Sequence, residues 1–380
     1  MSKKIVYILG NNYIPNGMAK IITQKINYLA KYTDYELHLI TTEYMDKPMY
    51  YPLHHNVFIH NLAINFDEID TMPIYQKIYY YKTKQIKYKK SLTLLLMDIK
   101  ADIVISTMRR EINFLNDIRD GSVKIGEIHF NKSNYREFNK PYLPQWLNHF
   151  ITNQWRGKLI KEIKKLNKFV VLTYEDQKEW NNLDNVTVIH NCIDIFPEQL
   201  TNCTEKNVIA VGRYTWQKGF DKLIETWGII AKKYPDWQLH IYGSGDYKFY
   251  QFIVNNKGLN KNVFCHPATS NIQQRYQESS IFVLSSRYEG FGLVITEAMS
   301  CGLPCVSFAC PCGPKDIVTD GVNGYLVEPG NVEALAERIC YLIEHEELRK
   351  EMGKAARKRA EDFREEKIMQ QWVDLFENIT

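Results

Sequence analysis

Ile281-Phe282-Val283-Leu284-Ser285-Ser286-Arg287-Tyr288-Glu289-Gly290-Phe291-Gly292-Leu293-Val294-Ile295-Thr296-Glu297-Ala298-Met299 passes from a short apolar run, through a glycine turn, into a second apolar segment. The first run has strand character; the second has helical spacing and meets stop signals at Gly302 and Pro304. Strand, glycine turn and helix in that order form the unit of an α/β sheet. Gly290 and Gly292 free the backbone for angles other residues resist and let a ligand approach closely. The first helical turn offers unpaired N–H groups and a positive dipole end to an anion. Glu289 falls in the turn and Glu297 about two turns into the helix. A ligand reaching both carboxylates would have hydroxyls at each end and a negative group between them, the outline of a nucleotide diphosphate sugar.

The same alternation runs through the whole chain. Strand patterns occur at 4–10, 36–42, 57–62, 102–107, 124–130, 168–173 and 186–190, then at 208–212, 238–242, 263–266, 281–285, 304–308 and 324–327. Helical patterns between them predict parallel sheets covered by helices. A linker around 195–206, with Pro197 and little apolar pattern, divides the chain in two, and 380 residues exceed the usual size of a single core. No internal sequence repeat is visible.

In the second half, Val208-Ile209-Ala210-Val211-Gly212-Arg213 reads as a strand ending in glycine, and a helix follows from Phe220 to Lys233. Arg213 and Lys218 therefore leave the carboxyl end of a strand, where open α/β sheets bind ligands. A guanidinium fork and a compact ammonium suit a diphosphate.

These segments resemble the retaining glycosyltransferases of the GT4 type, which have the GT-B fold. The resemblance rests on Gly212-Arg213, Lys218-Gly219, Tyr242-Gly243-Ser244-Gly245, the two-glutamate segment, Gly302-Leu303-Pro304, Gly313-Pro314 and Asp320-Gly321-Val322-Asn323-Gly324. It implies two Rossmann-like domains whose parallel sheets face an interdomain cleft. Residues 1–195, joined by a C-terminal helix at 365–380, would bind the acceptor, and 201–364 the nucleotide-sugar donor. By the same resemblance Glu289 binds hydroxyls of the donor sugar and Glu297 the nucleotide ribose. Arg213 and Lys218 bind the diphosphate, and the amides around Phe291, Gly292 and Leu293 complete its cradle. Gly313-Pro314-Lys315-Asp316 would line the sugar pocket.

Two first-half positions join this set. Asn16-Gly17 opens a helix after the first strand where the family has a Gly-Gly loop facing the phosphates. Asn tolerates left-handed backbone angles, so the turn is expected to survive, with Gly17 as the contact residue. His129, at the end of Lys124-Ile125-Gly126-Glu127-Ile128-His129, matches a family histidine beside the donor sugar.

The implied reaction is retaining transfer of a hexose or N-acetylhexosamine, with UDP the expected carrier by family frequency, to a lipid-linked saccharide or glycolipid. No enzyme nucleophile is involved, and Arg213 and Lys218 stabilise the leaving diphosphate. No D-x-D signature is present, so neither a metal nor a cofactor is expected. A nucleotide-sugar epimerase of the same fold and a non-catalytic nucleotide-sugar-binding protein are the alternatives. The dinucleotide fingerprint G-x-G-x-x-G is missing after the first strand, which argues against a dehydrogenase.

Composition narrows location and partners. No uninterrupted apolar run reaches the roughly 18 residues of a membrane span, and Ile5 to Leu9 is too short for the core of a secretory signal. The cytoplasm is the expected compartment. Eight cysteines then argue for reduced thiols. Cys301, Cys305, Cys310 and Cys312 lie close together, but Cys305 to Ala309 reads as a buried strand, so small buried cysteines are preferred to a zinc site.

Residues 1–200 carry 27 Lys and Arg against 21 Asp and Glu, whereas 201–380 carry 21 against 23. Within the basic half, Ile74 to Lys100 interleaves Tyr75, Tyr79, Tyr80, Tyr81 and Tyr88 with six lysines, and a second basic helix is expected over 158–168. Tyrosine and lysine together suit an anionic bilayer surface, so peripheral attachment to the inner face of the cytoplasmic membrane is expected. Net charge +4 with no nucleic-acid-binding motif gives no reason to expect DNA or RNA.

Overall fold

In the computed structural model, which describes residues 2–14, 16–43, 47–132, 135 and 144–379, the chain divides into two compact units. The first comprises Met1–Val171, Gln177–Ile189 and Met369–Thr380; the second comprises Leu172–Asp176 and His190–Ile368.

The first unit is built on β1 (Lys4–Ile8), β2 (Glu36–Thr41), β3 (Val57–Asn61), β4 (Ile103–Ser106), β5 (Val123–Glu127), β6 (Lys168–Val171) and β7 (Val186–Val188). They form one parallel sheet in the order β3-β2-β1-β4-β5-β6-β7. The second unit has β8 (Asn207–Val211), β9 (Gln238–Gly243), β10 (Val263–Pro267), β11 (Ile281–Leu284), β12 (Cys305–Phe308) and β13 (Gly324–Val327). These are also parallel, in the order β10-β9-β8-β11-β12-β13.

Central strands such as β1 and β11 are apolar along nearly their whole length because helices cover both faces of a parallel sheet. The crossover helix Phe220–Lys233 buries Phe220, Leu223, Ile224, Trp227 and Ile230, one stripe at helical spacing. In each sheet the chain winds outward one way from a central strand, β1 or β8, then resumes on that strand's other side at β4 or β11. Such switch points open a crevice at the strands' carboxyl ends.

All thirteen predicted strands are present. The widest boundary difference is at β5, which ends at Glu127, short of the predicted position 130. The C-terminal helix is Glu365–Asn378; from Met369 onward it belongs to the first unit, where Trp372 and Phe376 are buried.

The basic helix expected over 158–168 is instead the end of a longer one, Gln145–Ile163. Asn185 Nδ2 donates to the carbonyls of Ile163 (2.9 Å) and Leu166 (2.8 Å), and Lys168 opens β6 opposite Ile125. Lys164, Lys165 and Lys168 therefore lie beyond that helix.

A local repeat, not visible in the sequence alone, emerges from the registers. His38 on β2 faces Phe58 and Ile40 faces His60 on β3; His240 on β9 faces Phe264 and Tyr242 faces His266 on β10. In both units the two imidazoles meet with ring nitrogens 3.0 Å apart.

Candidate functional site

The second unit gathers most of the expected site residues at the carboxyl ends of β8 and β11. After β8 the chain passes Gly212 and Arg213, makes a 3-10 turn at Trp216–Lys218, and enters helix Phe220–Lys233. The Lys218 side chain folds back over Gly212: a Cβ on that glycine would lie 3.0 Å from Lys218 Cδ and 3.1 Å from Cε. Lys218 Nζ reaches Glu289 Oε1 at 2.7 Å, and Ser286 Oγ donates to the same oxygen at 2.6 Å. Both ends of the ion pair are largely buried.

The two loops are tied together. Arg287 binds Asp221 through both terminal nitrogens (2.9 and 2.6 Å), Ser285 Oγ donates to the Lys218 carbonyl (2.9 Å), and Gln217 Nε2 donates to the Tyr288 carbonyl (2.9 Å). The pair is thus held by a braced frame, while Arg213 is exposed and no hydrogen bond or ion pair engages its guanidinium among the described residues.

Beyond Glu289, Gly292 takes a left-handed φ of 98° as the N-cap of helix Leu293–Ser300; Gly290 is not among the residues with positive φ. Among the described residues no hydrogen bond takes the backbone N–H of Phe291, Gly292 or Leu293. Since the helix starts at Leu293, Glu297 lies little more than one turn into it, not two. It is buried rather than solvated, and Tyr276 Oη donates to its Oε2 at 3.3 Å. A positive helix end, an exposed guanidinium, a buried ammonium and two fixed carboxylates are therefore carried by two loops and the helix that follows the second, a suitable set of groups for an anion flanked by hydroxyls.

Lys315 pairs with Glu175 at 2.6 Å, and Asp316 accepts from the Tyr174 backbone N–H. The four clustered cysteines are buried and in reduced, thiol form. Burial pushes the Cys301 thiol up to about 12 and Cys305 and Cys310 further still.

The first unit holds Gly17 and His129. Gly17 opens helix Gly17–Tyr32, and a Cβ there would meet nothing within 4 Å. The left-handed turn expected at Asn16 is absent. Asn16 is extended (φ −152°, ψ 153°) and its side chain accepts from the Ala19 N–H at 2.8 Å, an N-cap, which requires β-region backbone.

His129 follows β5, with Nε2 3.0 Å from Glu127 Oε1. Glu127 also pairs with Lys25, on the helix that Gly17 opens, and Lys25 Nζ lies 3.9 Å from the centre of the Trp372 ring. Burial opposes ionisation of Glu127, but Lys25 and then His129 override it and hold the carboxyl at about 2. The sequence reading missed Lys25, Glu127, Ser286 and Tyr276. Glu127 could have been found, since it lies two residues before His129 in the run expected as one strand over 124–130.

Comparison with known proteins fits these loops. The profile of the family described as glycosyl transferases group 1 matches residues 193–359, which include the loops carrying Arg213, Lys218, Glu289 and Glu297. An uncharacterized glycosyltransferase of Haemophilus influenzae is 34% identical over 240 residues, 59% of this chain and 67% of the relative. The chain belongs to the glycosyl transferases group 1 family. A second relative, the poly(ribitol-phosphate) alpha-N-acetylglucosaminyltransferase of Staphylococcus aureus, is 33% identical over 57% of this chain and 45% of its own length. The chain thus aligns with between about half and two thirds of these relatives' lengths. In structure, a mutant of S. aureus TarM in complex with fondaparinux, alpha-GlcNAc-glycerol and UDP superposes with a TM-score of 0.76 at 18% identity, covering 98% of this chain and 99% of that one. At that identity the likeness establishes the fold, the two-domain GT-B architecture, and no more.

Proposed function

We propose that the protein is a retaining glycosyltransferase that moves a hexose or N-acetylhexosamine from a UDP-sugar to a lipid-linked saccharide or glycolipid, without a metal ion. The observation that carries this reading is the buried Lys218–Glu289 pair beside the unengaged amides of Phe291, Gly292 and Leu293. In this scheme the amides and Arg213 receive the diphosphate and Lys218 spans from it to Glu289. Glu289, its free lone pairs directed by Lys218 and Ser286, takes hydroxyls of the sugar, and Glu297 takes the ribose. As the bond to the sugar breaks, negative charge grows on the diphosphate, where Arg213, Lys218 and the helix end stabilise it.

On this reading the leaving phosphate accepts the acceptor's proton, and His129, oriented by Glu127, positions the sugar. The second unit binds the donor and the first the acceptor. UDP in the TarM complex and the name of the S. aureus relative support the donor and sugar class.

A panel of nucleotide sugars scored by release of free nucleotide tests the proposal. Glu289→Ala should cost about 10²- to 10³-fold, the usual effect of removing one stabilising group from such a site. Full turnover by that variant removes Glu289 from the site. Excess EDTA should leave the rate unchanged; abolished activity would overturn metal independence. Conversion of the donor without nucleotide release would identify an epimerase.

Peripheral membrane attachment is part of the same proposal. On helix Ile74–Ile99 the exposed residues Tyr75, Tyr79, Lys82, Ile86, Lys90, Leu94 and Met97 form one stripe at helical spacing. Tyr88, expected at the bilayer, is instead buried between Phe66 and Phe114.

A further inference from the structure

Leu172–Asp176 follows β6 of the first unit along the chain but belongs to the second unit, and the scheme above gives it no part. It also lies outside residues 193–359, the stretch that the family profile matches. Helix Tyr174–Glu179 begins in this segment, and Glu175, in its first turn, lays both carboxylate oxygens against the loop that follows β12. Oε2 accepts from the Cys312 backbone N–H at 2.8 Å, and Oε1 from Lys315 Nζ at 2.6 Å. Asp316 returns the contact by accepting from the Tyr174 N–H.

That loop needs an outside hold. Cys312 has a φ of 63° and Gly313 of 124°, so two consecutive residues lie at positive φ, and one of them carries a side chain. Such a backbone persists only where its surroundings over-determine it. A charge-assisted hydrogen bond from the Cys312 N–H to a carboxylate does this. On its other side the loop meets the donor turn: the Pro311 carbonyl accepts from the Glu289 N–H at 3.0 Å, and Gly313 packs so closely on the Phe291 carbonyl that no side chain fits there. The backbone of Glu289 and Phe291 is thus placed by a loop that Glu175 holds from behind.

We propose that Glu175 is a positioning residue for the transfer: through the Cys312–Gly313 turn and the Pro311 carbonyl it sets where the Glu289 carboxylate stands. The proposal rests on the transferase reading, in which Glu289 takes hydroxyls of the donor sugar. Of the two contacts Glu175 makes, the one to Cys312 matters more. Cys312 is buried, whereas the side chains of Glu175 and Lys315 are 25% and 47% exposed, and an ion pair so open to water contributes little. An uncharged side chain with an acceptor oxygen at the same place should therefore serve almost as well.

Amide hydrogen exchange at single-residue resolution, on the full chain without substrate, reads the brace directly. In Glu175→Ala the Glu289 N–H should lose protection while the amides of β8 and β11 keep theirs, and Glu175→Gln should keep the wild-type pattern. With the nucleotide sugar that supports nucleotide release, Glu175→Ala should lower kcat by about 10- to 10²-fold, the effect of a small misplacement. Glu175→Gln should restore most of that rate. Affinity for UDP, which lacks the sugar, should stay as in the wild type. Unchanged exchange at Glu289 or wild-type kcat in Glu175→Ala, equal losses in the Ala and Gln variants, or a parallel loss of UDP affinity overturns the proposal. Faster exchange throughout the second unit would mark a merely structural role and overturns it too. If the wild type releases nucleotide from no nucleotide sugar, the transferase reading fails, while the exchange measurement still decides whether Glu175 holds Glu289 in place.

Discussion

Lys25, Glu127 and His129 show what a single buried charge demands. Lys25 is 2% exposed and Glu127 fully buried. Lys25 is tolerable because of Glu127, and Glu127 because of Lys25 together with His129, since an unpaired charge in that environment would lose its hydration without compensation. Lys25→Met should therefore destabilise the fold by about 3–5 kcal/mol, measured by urea denaturation at neutral pH, and adding Glu127→Leu should recover much of that loss. A cost below about 1 kcal/mol for the single variant would show that Glu127 is compensated without Lys25, by His129 or by water. The pair also fixes a pH window: the Glu127 carboxyl at about 2 lies below its ordinary 4.5, so its contribution is complete above 4.5 and is lost as pH falls towards 2. Glu127 stands two positions before His129 in the run that reads as a strand, so it could be read beside His129, although the reading passed over it. Lys25 could not, because its partner lies 102 positions away and nothing in the local pattern joins the two. The donor loops were more legible, since Gly212, Lys218 and Glu289 occur in short motifs whose turn chemistry is local. Ser286, which fixes the Glu289 carboxylate, lacked any such signal.

At the scale of elements, parallel strands were readable because burial on both faces makes them apolar throughout, and helix Phe220–Lys233 because its apolar stripe and basic last turn are local properties. Ends were less legible: the Gln145–Ile163 helix stops where Asn185, a residue on the far side of β6, takes its last carbonyl. The paired histidines of β2–β3 and β9–β10 are a register property and so belong to this scale. Burial and then the neighbouring His266 hold His240 down at about 4, and burial with His38 lowers His60. His266 is lowered by burial and Arg275. These rings fold neutral while the unfolded chain titrates near 6.5, so the unfolded state binds more protons in acid. Their stabilisation is complete above about 6.5 and is lost as pH falls towards 4. Urea midpoints should drop between about pH 7.5 and about pH 5, and His60→Gln and His240→Gln should each flatten the decline. A wild-type midpoint constant over that range would show that these histidines do not couple folding to pH.

Across the whole molecule, charge and exposed apolar surface share one half of the sequence. Residues 1–200 hold a surplus of six cations, 27 against 21, and residues 201–380 a deficit of two. Counting lysines overstates what a membrane would meet, because Lys77, Lys84 and Lys87 donate to backbone carbonyls and Lys89 pairs with Asp117. The stripe of helix Ile74–Ile99 keeps Lys82 and Lys90, which no hydrogen bond or ion pair engages among the described residues, beside exposed tyrosine and aliphatic side chains. Each basic residue at an anionic surface contributes about 1 kcal/mol, and that term is screened by salt, whereas burial of apolar area is not. The chain should therefore float with vesicles containing anionic lipid in preference to neutral ones, and salt at about 0.5 M should weaken that attachment without abolishing it. Tyr79→Ser with Ile86→Ser should remove the salt-resistant part and leave the salt-sensitive part, since both side chains are exposed and neither supports the core. Equal flotation with neutral and anionic vesicles, or attachment unchanged by the double substitution, would mean that this helix does not face a bilayer.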